Sequence, residues 1–214
     1  MSLARRLTAG VAAAVLAGTT ALFAVPTASA DTDPVPSPTT GRTAVTTQPG
    51  IAAALLRAGV LPYTVSPGRT DGASLRPLAL TYSFPITGVS NGLTGEITHS
   101  GGVAFVKLGS FTKRIVVKDF TIDLDGFSEP AVGQDYSTPV LTGTVFDGRG
   151  GVPDGIRVAL FDIDLSGAAI DPADVQVTGA NLTLTDVAAG ALNAELGTSV
   201  FSGGLNVFSA RANA

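Results

Sequence analysis

Beyond residue 78 the apolar residues recur mostly at every second position, the spacing of strands that bury one face. Residues 78–84 alternate in this way and predict a strand ended by Pro85. Over 93–99, Leu93, Gly95, Ile97 and His99 share one face, with Thr94, Glu96 and Thr98 on the other. Gly101 and Gly102 turn or bulge the chain into a strand over 103–106. Residues 114–124 are read as one cleanly alternating strand, with Phe120, Ile122 and Leu124 on one face and Thr121, Asp123 and Asp125 on the other. Segments 139–146, 156–165, 175–177, 182–184 and 205–208 continue the pattern. Short strands separated by Gly, Asp and Pro turns predict an all-β fold, an antiparallel β-sandwich or barrel. The period becomes helical twice. Residues 185–196 carry Ala188, Ala189, Leu192 and Leu196 at helical spacing, with Thr185 or Asp186 as N-cap and Gly197 after the end. Residues 49–59 carry Ile51, Ala54, Leu55 and Ala58 between Pro49 and Gly59.

The first 48 residues follow neither period. Arg5 and Arg6 precede an uncharged, Ala-rich stretch over 7–25, and Ala28-Ser29-Ala30 stands before Asp31. Charged, apolar and small-residue regions in this order predict a secretory signal peptide over 1–30. It implies a secreted or extracellular protein, in places held at the cell wall, with no transmembrane segment after cleavage. Residues 31–48 are rich in Thr, Pro and Ser and predict a flexible spacer, leaving one β-rich domain over 49–214. Leu61-Pro62-Tyr63-Thr64 matches the first four letters of a sortase signal. Val65 stands where Gly is needed, and no apolar span with a basic tail follows.

Composition narrows the chemistry. The chain has 214 residues, no Cys and one His. That excludes disulfides, thiolate metal sites, a cysteine nucleophile and a two-His metal site within one chain. Net charge is −4 with 14% charged residues, and signal cleavage would remove Arg5 and Arg6. A sparsely charged, acidic surface is poorly suited to nucleic acid or anionic lipid.

The acids give little. Asp162-Ile-Asp164-Leu-Ser166-Gly167 opens like a calcium loop, but loop position twelve falls on Ala173 and Asp174 comes one place late. Phe120-Thr-Ile-Asp-Leu124-Asp-Gly126 and Phe161-Asp-Ile-Asp-Leu165-Ser-Gly167 echo one another as F-x-I-D-L-x-G. Gly148-Arg149-Gly150-Gly151 reads as a turn between strands, and no G-x-S-x-G elbow is present. Asp162 and Asp164 are the pair a polysaccharide hydrolase would use, without a Glu set for a raised pKa. His99 is the remaining candidate. As the lone imidazole it is able to bind haem iron, alone or with Tyr63, Tyr82 or Tyr136, with Tyr82 on the preceding strand the first choice. A simple hairpin pairs Tyr82 near Gly95 and leaves His99 roughly 13 Å further along.

Phe84-Pro-Ile-Thr-Gly88, then Thr94-Gly95-Glu-Ile-Thr-His-Ser-Gly101-Gly102-Val-Ala-Phe105, resembles the opening of HtaA-type domains of secreted actinobacterial proteins. Leu182-Thr-Leu-Thr185 followed by an Ala-rich helix resembles their close. The resemblance implies a β-rich surface or secreted domain, and its best-known members bind haem through a Tyr supported by a His. The family's S-F-x-x-Y segment is missing here, Leu108 stands at the family's His position, and His99 precedes the Gly-Gly pair. No ligand position carries over. Fold is therefore the better-founded implication. The resulting expectation is a secreted non-enzymatic protein with a binding or structural role at the envelope, haem binding and polysaccharide hydrolysis being the alternatives.

Overall fold

The computed structural model describes residues 41–75, 77–90, 95–129, 134–147, 155–171 and 176–213. The signal-like segment 1–30, residues 31–40 of the expected spacer and the 148–151 turn lie outside them.

The chain runs β1 (Arg42–Thr47), α1 (Ile51–Arg57), β2 (Val60–Val65), β3 (Arg69–Leu75), β4 (Leu78–Val89), β5 (Glu96–His99), β6 (Gly102–Lys107) and β7 (Ser110–Asp123). It continues through β8 (Phe127–Glu129), β9 (Gln134–Tyr136), β10 (Val140–Asp147), β11 (Ile156–Asp164), β12 (Ala169–Asp171), β13 (Gln176–Leu184), α2 (Asp186–Leu196) and β14 (Asn206–Asn213). Eight strands, in the order β10-β11-β13-β14-β1-β4-β5-β7, close into an antiparallel barrel through the β7–β10 pairing. Strands β6 and β2 extend the sheet from β7, β3 pairs with β4, β12 pairs with β13, and β8–β9 form a separate ribbon. Closure leaves these eight strands without a free edge at the seam, with Leu141 opposite Ile122 and Val145 opposite Val117.

Two bulges keep large residues pointing inward. In β7, Asp119 has φ 54, and the register against β10 shifts between Thr142 and Thr144. The extra residue reverses the alternation, so Ile115 and Val117 before it and Phe120 after it are all buried. In β11 the shift opposite Leu141 and Thr142 does the same for Leu160 and Phe161. The F-x-I-D-L-x-G echo therefore marks two strands that restart their inward phase at a Phe and end in a turn. Asp123 Oδ1 accepts from the Asp125 N–H at 3.2 Å, and Asp164 Oδ1 from the Ser166 N–H at 2.9 Å. Leu141 of β10 stands opposite Ile122 on one side and Phe161 on the other, so the two copies are two residues out of register.

Three expectations are corrected. Residues 42–47, read as spacer, form β1, paired with β14 on one edge and β4 on the other. Its inward positions are Thr43, Val45 and Thr47, all buried, and β-branched residues suit a pleated, half-buried surface. The Arg42 side chain fixes the start, donating to Ser83 Oγ at 2.8 Å and to the Ser83 carbonyl at 3.0 Å. Pro85 does not end β4. It stands opposite Arg42 at the end of the β1 ladder, where a missing donor costs little, and its carbonyl accepts from Ser100 N–H. Finally, residues 176–177 of the expected 175–177 strand and residues 182–184 belong to one strand, β13, because Gly179 takes φ 81 at a bulge that a side chain would strain.

Both helices form where the period changes. Thr185 Oγ1 accepts from the Ala188 N–H and donates to the Ala159 carbonyl, which caps α2 and ties it to β11. Gly197, with φ 60, ends it. The buried face of α2 is the expected one, Ala188, Ala189, Leu192 and Leu196, and it lies across the end of the barrel where β13 leaves and β14 returns.

Candidate functional site

The barrel interior contains the single histidine. His99 ends β5, opposite Ile86 of β4, and is 5% exposed. Its Nδ1 lies 3.3 Å from the Phe120 carbonyl and its Nε2 2.7 Å from Thr43 Oγ1. A carbonyl only accepts, so Nδ1 carries the proton, Nε2 accepts, and the Thr43 hydroxyl donates. Burial pushes the imidazole down to about 4, against the opposing pull of the Phe120 carbonyl, so the ring is neutral at ordinary pH. Both nitrogens are occupied by the protein's own groups.

Tyr82 shares the inward face of β4 with Phe84 and Ile86. It pairs with Val45 of β1 and Thr70 of β3, so the Tyr82–Gly95 pairing expected from the sequence is not made. The residue opposite His99 is Ile86, four positions along β4 from Tyr82, or roughly 13 Å of strand. The Tyr82 ring packs edge-on against Phe208, its hydroxyl has no hydrogen-bond partner, and burial pushes the phenol up to about 12. Tyr63 is 40% exposed on β2, and Tyr136 is half-buried on β9. Four residues of strand thus separate Tyr82 from the position opposite His99, and both His99 nitrogens face groups of the protein itself.

Two cavities occupy the axis. The larger, about 90 Å³, lies between the His99–Thr43 pair and the buried face of α2, walled by Phe84, Phe120, Leu160 and Phe208. The smaller, about 60 Å³, lies towards the far end, against Ile97, Leu124, Ile163 and Val177. Thr43, Ile122, Leu182 and Ala210 line both, so the cavities are stacked with one shared wall. Neither reaches the several hundred Å³ typical of cofactor pockets.

The acids lie outside this interior. Asp164 is exposed and bound in its own turn, which lowers its carboxyl. Asp162, two residues earlier on the same outward face of β11, is raised by partial burial and by Asp186 at the start of α2. The same two carboxylates, after partial burial, raise the Tyr136 phenol. Among the described residues no group of three or more His, Asp and Glu is arranged to hold a metal ion, and no helix is long and apolar enough to cross a membrane.

Reasoning from sequence missed Thr43, His99's closest polar partner, because it falls in a segment read as spacer. The Thr43-Ala-Val45-Thr-Thr47 alternation was the available signal. No protein-family model, curated protein or solved structure matches the chain.

Proposed function

We propose that the protein is an exported, non-enzymatic β-barrel with a binding or structural role at the cell envelope or outside the cell. The observation that carries this reading is the barrel interior. Its one imidazole and its neighbouring hydroxyl are spent on each other and on a backbone carbonyl, and hydrocarbon lines the rest. A general base must instead present a free lone pair to a proton on substrate. Asp162 and Asp164 stand on the outward face of β11, with Asp164 turned into its own loop, an arrangement ill-suited to flanking a glycosidic bond.

Export is supported by the order of Arg5-Arg6, the apolar 7–25 stretch and Ala28-Ser29-Ala30 before Asp31. The resemblance to HtaA-type domains points to the same surroundings, and its motifs fall on β4 to β6 and on the junction of β13 with α2. Expression of the full chain in an actinobacterial host tests the reading. N-terminal sequencing of the culture supernatant should begin at Asp31; recovery only in membranes with Met1 intact would refute export. Hemin titration of the same material should stay flat. A saturable Soret band lost in His99→Ala would replace this reading with haem binding.

A further inference from the structure

We propose that the barrel interior binds one unbranched alkyl chain bearing a neutral or cationic head group. The proposal rests on the reading of the protein as a binding module and names its ligand class.

The void has a sequence cause. An eight-stranded barrel is wide enough either to be filled by its inward side chains or to hold one small ligand. Near the far end the inward positions of β13 and β14 are Val177 and three alanines, Ala180, Ala210 and Ala212. Side chains of that size leave the space next to Ile122 and Leu182 unfilled, and the two cavities meet there. Elsewhere the same strands carry Leu184 and Phe208, which are buried.

The chemistry of the walls selects an apolar guest. Thr43 and His99 are the polar side chains lining the larger cavity, and their polar atoms are already paired. A buried water needs two to four partners and finds too few, so the space is dry. Its shape selects a chain over a ring. A void of about 150 Å³ holds a benzene molecule, whereas these are about 90 and 60 Å³ in line. A slender guest reaches both by crossing the shared wall at Ala210.

Charge selects the head group. The smaller cavity is lined in part by Ile170, which is 48% exposed, so it approaches the surface at the far end. There Glu96 stands directly opposite Asp123, and Asp164 is exposed at the end of β11. Among the described residues these acids outnumber the two cations of the same end, Arg211 of β14 and Arg42 of β1, the latter turned onto Ser83. An anionic head group arriving at this end meets like charge, whereas an alcohol or an ammonium does not.

Calorimetric titration of the purified protein with 1-octanol, octylamine, octanoate and cyclohexanol tests the proposal. The expected result is saturable one-to-one binding of octanol and octylamine, with octanoate and cyclohexanol at least tenfold weaker. Ala210→Phe, which fills the shared wall, should weaken octanol at least tenfold while a cooperative thermal transition is kept. If that variant does not fold, Ala210→Val makes the same test with a smaller insertion. Absence of saturable octanol and octylamine binding to folded protein would overturn the proposal. So would equal octanol affinity in wild type and the folded filling variant. Octanoate binding as tightly as octylamine would overturn the head-group assignment. A flat titration of protein correctly cleaved before Asp31 removes the ligand and leaves the exported barrel, whereas retention of Met1 in membranes removes export and leaves the cavity.

Discussion

The two ends of the barrel are made by the same eight strands and filled in opposite ways. At one end α2 lays Leu192 and Leu196 across Leu184, with Phe201 beside them, and all four are buried. At the far end the inward residues of β13 and β14 are Val177 and the small Ala180, Ala210 and Ala212, and Ile170 stands half in solvent. Between them sits the His99–Thr43 pair, where two strands far apart in sequence are joined by a side-chain bond. Closing a barrel satisfies its backbone but does not fill it, because filling depends on the volume of every inward side chain.

The largest expected effect is at the packed end. Leu196 is fully buried, and Leu196→Ala should cost about 3 to 4 kcal/mol, through lost burial and the cavity left behind. Ile170→Ala at the far end should cost under about 1 kcal/mol. Urea unfolding of both variants is the check, and equal costs would break the contrast between the ends.

The next effect is at the junction and depends on pH. The folded His99 value of about 4 lies below the ordinary 6.5, so the unfolded chain takes up the proton first. The contribution of this group is constant above pH 6.5, declines as pH falls, and has lost about 3 kcal/mol by pH 4. Urea midpoints of wild type should fall across this window more steeply than those of His99→Gln. Parallel curves would mean that the imidazole is not held neutral.

The smallest effect exposes a flaw within the packed barrel. The Tyr82 hydroxyl is buried without a partner, so Tyr82→Phe should stabilise the fold by about 1 kcal/mol. It should also remove a loss of stability as pH rises from 10 towards 12, since burial holds the folded phenol above its ordinary value and the unfolded chain ionises first. Thermal melts at pH 7 and pH 10.5 read both changes. Destabilisation at pH 7 would reveal a partner for the hydroxyl.

Much of the fold was legible because one residue type per position was enough to declare it. The Thr185 cap, the Ala188 to Leu196 face and the Gly197 stop of α2 are local features, and the helix forms where they predict. Phe120, Ile122 and Leu124 faced inward as their period required. Strand β1 was misread because its inward pattern is carried by Thr43, Val45 and Thr47, which differ little in polarity from their neighbours. Strand β3 is exposed throughout, so it has no buried face for a period to report. At the site, the burial of His99 and Tyr82 on inward faces followed from alternation, but their separation did not. The β4–β5 register places Ile86 rather than Tyr82 opposite His99, and that register includes a bulge whose local mark, Gly88, does not tell which residue of β5 it will face.

The sequence by itself determined the strands with a clear period, the place of both helices, and the caps and buried face of α2. These depend on neighbours within a few residues, where side-chain sterics and hydrogen-bonding groups act directly. Helix α1, by contrast, starts after Gly50 and buries Ala52 with Leu55 rather than the expected face through Ile51, Ala54 and Ala58. Tertiary structure alone decided that the sheet closes between β7 and β10, that Thr43 meets His99 across 56 residues, and that Ala180, Ala210 and Ala212 gather around one void. The physical reason is that closure, pairing and emptiness belong to several distant segments at once. An alanine in a strand reads the same whether its opposite wall is near or missing, and only the packed barrel sets that distance.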